Sequence, residues 1–156
     1  MRFPNWIVVL IGCAGLLSAS RAGAPADPAI RQVLTWAPTE FEFTAESDHA
    51  WWQFPLQVEF THQRSGAVLR LEGFWDGARS WRVRFAPPEA GEWRFRTHSA
   101  DRGLDGHRGA LIARRATPEE IARNANLRGA VRVASGQRHF AYADGTPFFL
   151  LADTLW

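Results

Sequence analysis

The sequence predicts an all-β fold: an immunoglobulin-like β-sandwich, followed by a linker and the opening of a second, truncated unit. Three observations predict it. Five segments between Phe41 and Thr97 alternate apolar and polar residues, the period-two pattern of strands with one dry and one wet face. Turn-forming residues divide those segments at short, regular intervals, as the strands of a sandwich require. Then Tyr142 to Trp156 (YADGTPFFLLADTLW) changes character, reading as a tight turn that feeds a strand apolar on both faces. Such a strand wants cover on both sides, as in the interior of a parallel α/β sheet.

The chain opens with a segment that does not belong to a fold. Arg2 supplies a positive start, Trp6 to Leu17 is mostly apolar, and Ser18 to Ala22 offers small residues for cleavage. Residues 1–22 therefore read as a signal peptide, too short in its apolar run to span a bilayer as a helix. Leu10-Ile11-Gly12-Cys13 also fits the pattern ahead of a lipid-modified cysteine. The expected location is secreted or periplasmic, with lipidation at Cys13 an alternative. Residues 23–34, rich in Pro and Ala, read as a tether.

Residues 35–115 carry the sandwich. Phe41 and Phe43 alternate with Glu and Thr; Leu56, Val58 and Phe60 alternate with Gln57 and Glu59; Leu69 and Leu71 flank Arg70. Trp81, Val83 and Phe85 alternate with Arg82 and Arg84, and Trp93 and Phe95 with Arg94 and Arg96. Ser65-Gly66, Asp76-Gly77, Pro87 to Gly91 and Asp101 to Gly109 supply the breaks, and Leu111 to Ala113 a last strand. The segments around Pro87 to Gly91 read as a core hairpin, with its four arginines on one wet face. Glu59 and Glu72 are expected between them, because like charges opposed across strands repel.

Residues 116–130 read as a linker with a short helix. Thr117 can cap, Pro118 suits the first helical position and Glu120 can close a capping box. The helix should end near Asn124. Residues 131–156 begin the next unit, with a small hairpin around Ser135-Gly136 and an apolar strand from Phe148 to Ala152. That strand has no partner in view, so the chain reads as the front end of a larger protein.

Charge and chemistry exclude several classes. Of 18 basic residues, all Arg, two lie in the leader, and the remainder equals the 16 acidic residues. A neutral exported part does not support nucleic-acid binding. Cys13 is the only cysteine, so the exported part holds no disulfide and depends on its core, in a chain that carries eight Trp and eleven Phe, all but Trp6 and Phe3 beyond the leader. The five His are scattered without ligand spacing. No phosphate loop and no nucleophile elbow occurs. No cofactor, metal or catalytic residue is expected.

The residues open to a binding role are aromatic. Trp51 and Trp52 cannot both point inward from an extended segment, and Trp75 sits beside the Asp76-Gly77 turn. An exposed indole stacks on the apolar face of a sugar ring, so these three can contact glycan. Asp153 follows the apolar strand, with Trp156 close behind. The pair can hold sugar hydroxyls and a ring face, or Asp153 can simply cap a following helix.

GFWDG (73–77), WRVRFAPPEAGEWRFRT (81–97) and Gly109 resemble the immunoglobulin-like domain of unknown function at the N-terminus of secreted bacterial glycosidases. HFAYADGTPFFLLADTLW (139–156) looks like the opening of their catalytic barrel, in the apiosidase-like glycoside hydrolase family. That family often has Gly where this chain has Ala152, a departure of one methyl. The resemblance implies a (β/α)8 barrel whose first strand is Phe148 to Ala152, with Asp153 and Trp156 at its substrate-facing end. It implies a polysaccharide or oligosaccharide as partner, and the chain's own downstream barrel as a second. The catalytic carboxylates of that family lie on later strands, so the fragment is expected to be inert. A free-standing carbohydrate-binding or adhesion module remains the alternative reading.

Overall fold

The structure is a computed structural model that describes residues 30–46 and 55–151. The signal peptide, Cys13 and most of the tether lie outside the described residues, as do Trp51, Trp52, Ala152, Asp153 and Trp156. Eight strands make up the first unit: β1 (Arg31–Leu34), β2 (Thr39–Thr44), β3 (Gln57–His62), β4 (Val68–Glu72), β5 (Phe74–Trp75), β6 (Ser80–Phe85), β7 (Gly91–His98) and β8 (Arg108–Arg114). They form a five-stranded sheet in the order β1-β8-β7-β3-β4 and a three-stranded sheet in the order β2-β6-β5.

The alternation along each strand decides what meets between the sheets. Val58 and Phe60 from β3, Trp93 from β7 and Leu111 from β8 are buried on the inner face of the larger sheet. Phe43 from β2 and Trp81, Val83 and Phe85 from β6 answer them from the smaller one. Phe60 stacks on Phe85 at 3.9 Å between centroids, and Trp93 meets Phe85 edge-on at 5.2 Å. Burial of each such side chain contributes roughly 1.5–3 kcal/mol, and the aromatic contacts add specific geometry. Trp93 donates its indole N–H to the Glu89 carbonyl at 2.9 Å, so its one polar atom is satisfied.

Two expectations about this unit are corrected. Residues 31–34, assigned to the tether, form β1 and pair in parallel with β8. Val33 packs against the core from that strand, which is why the sheet extends so far upstream. The segments flanking Pro87 to Gly91 do not form a hairpin. β6 pairs with β2 and β5, whereas β7 pairs with β3 and β8. The intervening residues cross from one sheet to the other. Pro87 and Pro88 lack the N–H groups that would continue a ladder.

The four arginines are therefore split between two outer faces. On the smaller sheet Arg82 lies 2.6 Å from Glu40 and 2.9 Å from Asp76, and Arg84 lies 2.8 Å from Glu40. The Arg84 and Arg82 hydrogen bonds hold the Glu40 carboxyl below its ordinary range. On the larger sheet Glu59 lies opposite both Arg70 and Arg96 and closes on Arg70 at 3.0 Å.

The linker helix forms as its capping pattern dictates. α1 (Pro118–Arg123) has Thr117 as N-cap, with both bonds of a capping box to Glu120 and Pro118 at the first turn. Glu120 also takes a two-pronged bond from Arg114, at 2.7 and 2.9 Å, tying the helix to the end of β8. A 3₁₀ turn, Ala125–Arg128, comes next.

The last described residues form a small antiparallel sheet, β9 (Arg132–Val133), β10 (Phe140–Ala141) and β11 (Pro147–Phe148), in the order β11-β10-β9. The hairpin around Ser135-Gly136 is present. The unpartnered apolar strand is not. β11 begins at Pro147, ends at Phe148 and pairs with β10. Phe149, Leu150 and Leu151 lie outside the sheet, with Phe149 and Leu151 84% exposed. Proline is tolerated in β11 because it opens an edge strand. Tyr142 and Phe148 meet edge-on at 5.1 Å and form the small apolar centre of this unit.

Candidate functional site

Trp75 is the one predicted contact residue among the described positions. It lies directly opposite buried Trp81 in the β5–β6 register, so both project from the same face of the sheet. Because β5 is an edge strand, Trp75 remains 44% exposed. Its indole N–H donates to the Ala78 carbonyl at 2.8 Å across the turn. That bond fixes the ring and satisfies its one polar atom. Ala78 has a φ of 46°, next to Gly77 at 102°, so the turn is built around left-handed residues.

A concavity lies elsewhere, between the β-domain and the residues that follow it. It encloses about 640 Å³, within the size of ordinary ligand pockets. One wall comes from the β1–β2, β3–β4 and β6–β7 connections, through Trp36, His62, Arg64, Ser65 and Glu89. The other comes from the end of β8 and the C-terminal unit, through Arg115, Ile121, Leu127, Arg128 and Asp144.

Trp36 is held in an unusual backbone conformation. Its φ is 64°, a left-handed value that bulky residues rarely adopt. Its N–H donates to the Pro87 carbonyl at 3.0 Å, and Ala37 N–H bonds back to Leu34. Gly129 passes beside the indole so closely that a Cβ there would come within 3.3 Å of Nε1 and 2.5 Å of the Ala143 side chain. Glycine at 129, with φ at 114°, lets the C-terminal unit approach.

His62 forms the floor of the same wall, 2% exposed. Its ring packs against Trp93 at 4.9 Å. Nε2 faces the Ala90 carbonyl at 3.2 Å, an obligate acceptor, so Nε2–H is the donor. Nδ1 lies 2.7 Å from Ser65 Oγ and 3.3 Å from Glu89 Oε2. Both polar neighbours address the same nitrogen, so the three do not form a relay of nucleophile, base and orienting acid.

The charges across the cleft are unequally matched. Arg128 donates to Asp144 at 3.0 Å and to Thr146 Oγ1 at 3.1 Å. The Thr146 backbone N–H above all, then its hydroxyl and Arg128, hold the Asp144 carboxyl below its ordinary range. Arg64 and Arg115 are exposed. Among the described residues neither guanidinium has an acidic partner within ion-pair distance. Sequence reasoning missed this cleft because its residues come from stretches spread between Thr35 and Asp144. The Pro-Pro-Glu-Ala-Gly stretch that supplies Glu89 was visible only as a turn.

Among the described residues no group of three His, Cys, Asp or Glu is placed to hold a metal ion. No described helix is long and apolar enough to cross a membrane.

Residues 32–100 match the family described as Domain of unknown function (DUF5060). A comparison with curated proteins finds no match. Among solved structures, the chain is similar to a candidate glycoside hydrolase from Bacteroides vulgatus ATCC 8482, with 29% identity and a TM-score of 0.64. The similarity covers 76% of this chain and 21% of that one, so this chain spans about a fifth of that protein's length.

Proposed function

We propose that this chain is the N-terminal accessory region of a secreted glycoside hydrolase acting on polysaccharide. Residues 35–115 are its immunoglobulin-like β-sandwich, residues 116–130 its linker, and residues 131–156 the start of a (β/α)8 barrel of the apiosidase-like type. The observation that carries the reading is the extent of the structural likeness: it runs through 76% of this chain yet occupies 21% of a candidate glycoside hydrolase. The two sheets closed on a shared aromatic core support the sandwich. The interlock of Arg114 with Glu120, and of Gly129 with Trp36, supports a module that positions the unit downstream of it.

In this reading the chain binds and positions, while bond cleavage belongs to two carboxylates on later strands. Asp153 and Trp156 contact substrate at the mouth of the barrel. Export through residues 1–22 places the protein outside the cytoplasm, with Cys13 as an alternative lipid anchor. Reducing-end release from a polysaccharide panel tests the division of labour. The full chain of 156 residues should release nothing above buffer. Steady release by this chain alone would show that catalysis resides in it.

Exposure of Trp75 favours a second reading, a free-standing carbohydrate-binding or adhesion module. Here Trp51 and Trp52 join Trp75 in holding glycan. Trp75→Ala, at the sheet edge, would abolish polysaccharide retention in affinity electrophoresis while leaving the core intact.

A further inference from the structure

We infer that the cleft between the β-domain and the C-terminal unit is a binding site for a carboxylate-bearing sugar, a uronate residue of an acidic glycan. The inference rests on the glycan-directed reading above and deepens it by naming the substrate class. Three observations converge on the cleft. It is a concavity of about 640 Å³, the size of a small saccharide pocket. Trp36 lines it from a left-handed backbone position tied to the Pro87 carbonyl by its N–H. Strain of that kind persists where the surrounding structure over-determines it, and it concentrates at ligand clamps.

The third observation is charge. Arg128 and Asp144 neutralise each other on one wall. On the other, Glu89 Oε2 lies 3.3 Å from His62 Nδ1 and brings an acidic group of its own to the cleft. Arg64, from the β3–β4 connection, and Arg115, just past the end of β8, have no acidic partner within ion-pair distance among the described residues. On the outer face of the smaller sheet, by contrast, Arg82 and Arg84 are both engaged by carboxylates. A guanidinium presents a planar fork that matches a carboxylate. A cleft lined by two such forks and an indole suits a ring that carries both an acid and an apolar face. Glu89 and Ser65 offer acceptors and a donor for its hydroxyls.

The test titrates the full chain with trigalacturonate and, separately, with neutral galactotriose, following tryptophan fluorescence and calorimetric heat. Trigalacturonate should bind and galactotriose should not. Affinity should fall as salt rises. Arg64→Ser with Arg115→Ser should weaken binding by about tenfold or more, with an unchanged thermal midpoint. The Arg64→Lys, Arg115→Lys pair keeps charge and fold but loses the fork, and should weaken binding by less. Absence of trigalacturonate binding overturns the inference. So does equal binding of galactotriose, of triglutamate or of a short oligonucleotide, or unchanged affinity in the serine variant. If trigalacturonate fails while the coding sequence continues into a barrel, only this inference falls. If arginine-dependent binding is seen and the frame closes at Trp156, the accessory-region reading falls instead.

Discussion

His62 and Gly91 fit together as ring and gap: a Cβ at residue 91 would stand 2.4 Å from His62 Nε2. Gly91 also has a φ of 140°, where side chains are strained. The residue therefore meets two demands at once. It opens β7 at the crossing between sheets, and it leaves room for a buried imidazole that closes one wall of the cleft. Gly91→Ala should destabilise the fold by about 2–4 kcal/mol, from backbone strain and overpacking together. Urea unfolding followed by tryptophan fluorescence measures it, and a loss below half a unit of that scale would show the crossing to be compliant.

Glu120 carries a pH signature. Its carboxyl is lowered from 4.5 to about 2, chiefly by Arg114 and then by the Thr117 backbone N–H. A carboxyl whose folded pKa lies below its unfolded value adds stability above the unfolded value. That contribution is lost as pH falls through the folded one. The Glu120→Gln variant should therefore be less stable than the parent at pH 6, and the gap should close between about pH 4.5 and 2. Thermal melts across that range decide the matter; a gap independent of pH would remove the ion pair from the explanation.

Arg96 and Arg108 face each other across β7 and β8. Glu59, which also lies opposite Arg96, is engaged by Arg70. Like charges so placed repel. Arg108→Glu should raise the urea midpoint slightly, with a gain that shrinks in high salt. A fall in midpoint at low salt would mean that Arg108 serves an interaction this pairing does not explain.

Phe149 and Leu151 are open to solvent next to the edge strand β11. Exposed apolar side chains beside an unpaired edge promote association. The double substitution Phe149→Ser, Leu151→Ser should lower self-association of the full chain in sedimentation velocity. Identical profiles for parent and variant would place the sticky surface elsewhere.

Local chemistry was legible in the sequence, and long-range pairing was not. The capping box of Thr117 and Glu120 could be read because all its parts lie within four residues. The alternation at Phe41–Phe43, Val58–Phe60 and Trp81–Phe85 correctly marked inward faces, because period two depends only on strand geometry. The split of β6 and β7 between sheets was hidden, since a short Pro- and Gly-containing turn can close a hairpin or cross a core. β1 was hidden because four residues of mixed polarity carry no period. β11 was overextended because an apolar run does not say whether a strand continues through it. The cleft was beyond reach: Trp36, His62, Arg64, Glu89 and Arg115 come together only through the fold.

Reading the coding sequence past the codon for Trp156 tests the central claim most directly. An accessory region predicts an uninterrupted frame of about 250 further residues in which strands and helices alternate, the span of a (β/α)8 barrel. A stop codon immediately after Trp156 in a verified genome would contradict it.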